Sequence, residues 1–104
     1  MKAIAIGYLR SDISGPAQNW DEIRIRSLAK RYGYDLAKTI VFSGGTQNPI
    51  SQLIDVARRA EAEAVITPRR DHFGLEVPER LVRICDVITV DDQNTLSRSY
   101  VIGE

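Results

Sequence analysis

The chain opens on Ala3-Ile4-Ala5-Ile6-Gly7-Tyr8-Leu9, a nearly unbroken apolar run that stops abruptly at Arg10-Ser11-Asp12. A short run of this kind predicts a strand buried on both faces, as in a parallel sheet. The spacing changes after the turn-rich Ser11–Pro16. Ile25, Leu28, Ala29 and Tyr32 recur at helical intervals and predict a helix running to about Tyr32. Ser14 or Gly15 is placed to cap it, and Pro16 suits its first position. Gly33 is placed to stop it in a left-handed conformation. Trp20 and Ile23 fall off the apolar stripe, either covering an edge or facing a partner.

The alternation continues. Leu36–Phe42 reads as a second strand, carrying the β-branched Thr39, Ile40 and Val41. The loop Ser43-Gly44-Gly45-Thr46-Gln47-Asn48 leads to a helix capped by Asn48, with Pro49 first and Ile50, Leu53, Ile54 and Ala57 facing inward. Ala64–Thr67 is a third strand. A long polar connection, Pro68 to Pro78, precedes a third helix with Leu81, Val82, Ile84 and Cys85 inward. Val87–Val90 is the fourth strand, ending at Asp91-Asp92. Tyr100-Val101-Ile102 reads as a fifth, edge strand or as a segment folded back over the sheet. Strands and helices in strict alternation predict one α/β domain over residues 1–104. Its expected form is a three-layer, open, mostly parallel sheet of four to five strands with helices on both faces.

Composition narrows the function classes. The chain has 104 residues, of which 43% are apolar and 27% charged, as in a soluble globular protein. Fourteen basic residues balance fourteen acidic ones for a net charge of +0, so there is no overall electrostatic footprint for duplex DNA. The single cysteine, Cys85, excludes an internal disulfide and reads as a buried thiol in a reducing compartment. No stretch reaches the roughly 20 apolar residues of a membrane helix. The expectation is a cytoplasmic protein with no membrane partner, no cofactor and no resident metal.

In a parallel α/β sheet, ligands gather beyond the carboxyl ends of the strands. Four polar groups lie there: Arg10-Ser11-Asp12, Ser43-Gly44, Asp71-His72 and Asp91-Asp92. Tyr8-Leu9-Arg10-Ser11-Asp12, Gly33-Tyr34, Phe42-Ser43-Gly44 and Asp71-His72-Phe73-Gly74-Leu75 follow one another with a familiar order and spacing. From Ala3 to about Asp92 the chain resembles the catalytic domain of the serine recombinases, the resolvase and invertase family. That domain opens with a strand ending Tyr-x-Arg-x-Ser. It continues with a helix ending in Gly-Tyr and a strand followed by Ser-Gly, and it has Asp-Arg-Leu-x-Arg after the third strand. The resemblance implies a resolvase-like fold, in which a serine attacks a DNA phosphodiester and arginines neutralise the phosphate, without metal.

Carried over residue by residue, the resemblance gives Arg10 and Asp71 matching positions. It puts Asp12 at the nucleophile position and His72 and Leu75 at two arginine positions. The candidate catalytic set is Arg10, Ser11, Asp12 and Asp71, in vestigial form. The candidate phosphate- or DNA-contacting set is Arg10, Ser43, Arg69 and Arg70. A carboxylate about 4 Å from a phosphate oxygen costs on the order of 4 kcal/mol at an effective dielectric near 20. Each lost charge stabiliser removes roughly 10²–10³ in rate. Lost strand-exchange chemistry is therefore expected, with DNA, a second copy or another protein as partner.

Two alternatives remain at this level. In one, Ser11 or Ser14 acts with Arg10, Arg69 and Arg70 in an active recombinase or nuclease. In the other, the Ser43-Gly44-Gly45 loop cradles a small phosphate ligand, or Asp12, Asp91 and Asp92 hold a cation. His72 reads as a loop residue rather than a base. The long helix and helix-turn-helix that follow this domain in the family have no counterpart after Asp92, and either a fragment of a longer protein or a stand-alone core is expected.

Overall fold

Strand β1 (Ile4–Arg10) runs through the middle of a five-stranded sheet of order β2-β1-β3-β4-β5. The computed structural model describes residues 2–98. Along them come α1 (Ser11–Ser14), α2 (Gln18–Arg31), β2 (Asp35–Phe42), α3 (Pro49–Arg59), β3 (Ala64–Thr67), α4 (Glu79–Val82), β4 (Asp86–Thr89) and β5 (Asn94–Leu96), with 3-10 turns at Gly15–Ala17 and Arg70–Phe73. The first four strands are parallel, and β5 returns antiparallel beside β4.

Both faces of the sheet are covered, which is why β1 and β3 read as continuous apolar runs. On one face Ala5, Leu9, Ile66 and Ile88 pack under Ile25, Leu28 and Ala29 of α2. On the other, Ile6, Tyr8, Val65 and Val87 pack under Leu53 and Ile54 of α3 together with Leu81 and Cys85. The fold is a three-layer α/β sandwich, as the alternation of elements predicts. Cys85 is fully enclosed, and burial pushes its thiol up to about 12.

Gly7 belongs to the α2 face. A Cβ there would lie 2.5 Å from Oγ1 of Thr39 and 3.0 Å from Cγ2 of Ile25, so the absence of a side chain lets α2 settle onto the sheet. Gly33 ends α2 at φ +81, with Tyr34 N–H donating to the Ala29 carbonyl and Gly33 N–H to the Lys30 carbonyl. These two bonds satisfy carbonyls that the last helical turn would otherwise leave unpaired.

Three sequence expectations need correction, and a fourth falls outside the described residues. Tyr32 is exposed rather than part of the α2 stripe, because the helix ends there and Tyr34 packs on the core instead. The entry to α2 is not a side-chain cap. The chain coils out of β1 through α1 and a 3-10 turn containing Pro16, and the Ser14 hydroxyl is turned to Asp21. The third helix is the single turn α4. Its Leu81 is fully buried, as is Cys85 beyond it, while Val82 and Ile84 are only partly so. The fifth strand of the described structure is Asn94–Leu96; the stretch Tyr100-Val101-Ile102 lies outside the described residues. No helix of the described residues is long and apolar enough to cross a membrane.

Candidate functional site

Parity along β1 decides what its end presents. The Ile4 carbonyl accepts from Glu63 N–H and the Ala3 carbonyl from Asp35 N–H. Even-numbered residues therefore direct their backbone groups toward β3, and odd-numbered ones toward β2. Side chains alternate likewise between the two sheet faces. The pairing of β1 with β3 runs from Ala5↔Ala64 to Gly7↔Ile66, and β3 stops at Thr67. The Arg10 N–H thus points where β3 has already ended.

The 3-10 turn after β3 fills that position. Arg10 N–H donates to Nδ1 of His72 at 2.9 Å, so an imidazole takes the place of the missing strand carbonyl. Tyr8, two residues earlier on the same face, donates its hydroxyl to the His72 carbonyl at 2.8 Å. The Tyr8 ring stacks on Phe73, with centroids 4.9 Å apart, and meets Phe42 edge-on at 5.9 Å. His72 lies in the connection between β3 and α4 and is completely buried there. Burial holds its pKa below the ordinary imidazole value, with Arg69 and Arg10 acting in the same direction and Asp71 and Asp21 opposing. Since Nδ1 accepts a hydrogen bond, the neutral ring carries its proton on Nε2. That atom and Oγ1 of Thr67 are buried without a hydrogen-bond partner among the described residues.

The Arg10 side chain turns outward. Its Nη2 lies 2.6 Å from Oδ2 of Asp12 and its Nε 3.2 Å from Oδ1, a two-point fork. The hydrogen bond from Arg10 holds the Asp12 carboxyl below its usual range, and the same bond raises the Arg10 guanidinium. The side chains keep 28% and 42% of their surfaces exposed, so the fork matters by geometry more than by strength. Gly44 packs directly over it: a Cβ at Gly44 would stand 2.8 Å from Oδ2 of Asp12 and 3.5 Å from Nη2 of Arg10. The Ser43-Gly44 loop, held by Ser43 N–H donating to Oγ1 of Thr46 at 3.0 Å, roofs the ion pair.

The other sequence candidates are distributed around this centre. Ser11 begins α1 and is partly exposed. Ser14 is buried and donates to Oδ2 of Asp21 at 2.7 Å, which turns its oxygen away from solvent. Asp71 is exposed and pairs with Nε of Arg69 at 3.2 Å rather than with Arg10. Arg70 is exposed, and its charge helps to hold the Asp92 carboxyl low, after the larger effect of the Thr89 hydroxyl bonded to it. Asp91 and Asp92 build the β4–β5 turn: Asp91 accepts from Asp92 N–H at 2.9 Å, and Asp92 accepts from Asn94 N–H at 3.1 Å. One oxygen of each carboxylate is used within that turn.

No family model matches the chain, and no curated protein matches it. Arg10, Asp12 and the Gly44 loop meet at one point, and the Tyr8–His72 clasp lies beneath them. Asp71 and Arg69 form a separate exposed pair. Sequence reasoning missed the structural roles of Tyr8, His72 and Asp21. The one available signal was parity, which puts Tyr8 and the Arg10 amide on the β3 side of β1, where a strand of only four residues leaves room for a cover.

Proposed function

We propose that this domain is a serine-recombinase-like core without strand-exchange chemistry, acting by binding or association. The observation that supports this reading is the fork between Arg10 and Asp12. An arginine fork matches a phosphate as well as it matches a carboxylate. Here the domain's own carboxylate, at the position where the resemblance calls for a nucleophilic serine, occupies that fork at 2.6 Å. A phosphodiester approaching Arg10 would have to displace Asp12 while being repelled by it. The placement of Asp71 against Arg69, and of His72 inside the fold, leaves the rest of the arginine clamp without an equivalent.

Association is supported by the outer face of α2. Trp20 and Ile23 lie one turn apart and are 60% and 47% exposed, and tryptophan is among the residues that anchor protein interfaces most strongly. The decisive experiment incubates the protein with supercoiled DNA under denaturing-quench conditions that preserve phosphoserine links. The reading predicts intact DNA and no covalent adduct. An adduct mapping to Ser11 would replace it with the active-recombinase reading.

A further inference from the structure

His72 closes the segment after β3 onto the end of β1 through a bond that one protonation state alone can make. The Arg10 amide donates to Nδ1, so this nitrogen must present a lone pair. An imidazolium carries hydrogens on both nitrogens and would set Nδ1–H against Arg10 N–H. The ring is fully buried, and its other nitrogen has no hydrogen-bond partner among the described residues to receive a second positive end. The rest of the clasp hangs on the same residue, since Tyr8 donates to the His72 carbonyl and Phe73 stacks on Tyr8. Beyond it the chain passes into Gly74, at φ +98, and the fully exposed Leu75.

We propose that His72 is an acid-operated clasp. As a neutral imidazole it holds the 69–75 segment over the end of β1. When it takes up a proton at Nδ1, the bond from the Arg10 amide breaks and the segment lifts, carrying Phe73 off the Tyr8 ring and uncovering Tyr8 while the sheet stays intact. The proton comes from solvent and no covalent bond breaks; the Tyr8 hydrogen bond to the His72 carbonyl is released with the segment.

The groups facing His72 are Asp71 and Arg69 on its own segment, Arg10 on β1, Asp12 on α1 and Asp21 on α2. Asp12 and Asp71 are themselves paired with Arg10 and Arg69, and Asp21 accepts from the Ser14 hydroxyl; Asp71 and Asp21 favour the imidazolium, but burial of the ring outweighs them. The sign follows from linkage. The closed state binds the proton less well than the open one, so closure is complete above the ordinary imidazole pKa and is lost as pH falls below it. The opening constant then rises by up to about tenfold per pH unit. The clasp stands on its own geometry, whether or not the domain contacts DNA.

Amide hydrogen exchange read by NMR at pH 7, 6 and 5 tests it, corrected for the intrinsic pH dependence of exchange. Wild-type protein is expected to lose protection at the Arg10 amide by several-fold to tenfold per unit, with Ala5 and Ile66 unchanged. His72→Asn, whose side-chain oxygen can accept from Arg10 at any pH in this range, is expected to show a flat profile. Constant protection at Arg10 in the wild type would overturn the proposal. So would a fall shared equally by Ala5 and Ile66, which reports global unfolding, or an equal fall in His72→Asn, which assigns the effect to other groups.

Discussion

Arg10 and Asp12 face each other across a single intervening residue, and both nitrogens on one edge of the guanidinium contact the carboxylate, at 2.6 and 3.2 Å. This is possible because β1 ends at Arg10 and the chain turns at once into α1, bringing Asp12 back over the arginine. The local backbone thus creates the self-occupied fork.

The fork gives Asp12 a distinctive titration. Its carboxyl is held low by Arg10, so the pair is intact above the ordinary carboxylate range and opens as pH falls through the lowered value. Carbon-detected NMR of the Asp12 carboxyl is expected to show a midpoint below that of an unpaired aspartate. Raising the salt concentration should move the midpoint up, because the pair is solvent-facing. Gly44→Ala should move it up as well, since the new methyl lies 2.8 Å from Oδ2 and must push the carboxylate aside. A midpoint insensitive to both changes would mean that the fork does not form in solution.

Gly7→Ala tests the packing that supports the site. The added methyl would meet Thr39 at 2.5 Å and Ile25 at 3.0 Å, in the layer between the sheet and α2. Overpacking of this kind costs about 1–3 kcal/mol. Urea unfolding should show the midpoint falling at unchanged slope. A neutral result would mean that α2 can slide outward without penalty.

The α2 surface carries the association claim. Sedimentation velocity across a concentration series is expected to show mass above that of the monomer, returning to the monomer in a Trp20→Ser, Ile23→Ser double variant. Both residues are exposed, so folding should be unaffected. A wild-type protein that stays monomeric at every concentration would remove self-association from the account.

Element order was legible because the signals were local. Gly33 and the Asn48-Pro49 pair mark helix ends by their own backbone preferences, and Gly33 adopts the left-handed φ and Pro49 the first helical position that such a reading demands. The doubly buried strands β1 and β3 announce themselves by unbroken apolar runs. The convergence of Arg10, Asp12 and the Ser43-Gly44 loop also followed from strand order. His72 did not, because its burial depends on β3 stopping at Thr67 and leaving the Arg10 amide without a strand partner, a matter of register. The pairing of Asp71 with Arg69 was not legible for a related reason. The turn that buries His72 directs its neighbour outward to Arg69. Ser14 and Asp21 look like a surface serine and a helix-surface acid in sequence, and only their contact accounts for their burial.

We propose that Asp12 occupies the place on Arg10 that a phosphate would take. Titrating inorganic phosphate into isotopically labelled protein, while following the Arg10 side-chain Nε–H resonance, tests it directly. The account predicts no saturable shift in the wild type over a range that produces one in Asp12→Asn, where the guanidinium is released. A saturable shift at Arg10 in the wild type, with an affinity equal to that of Asp12→Asn, would contradict it.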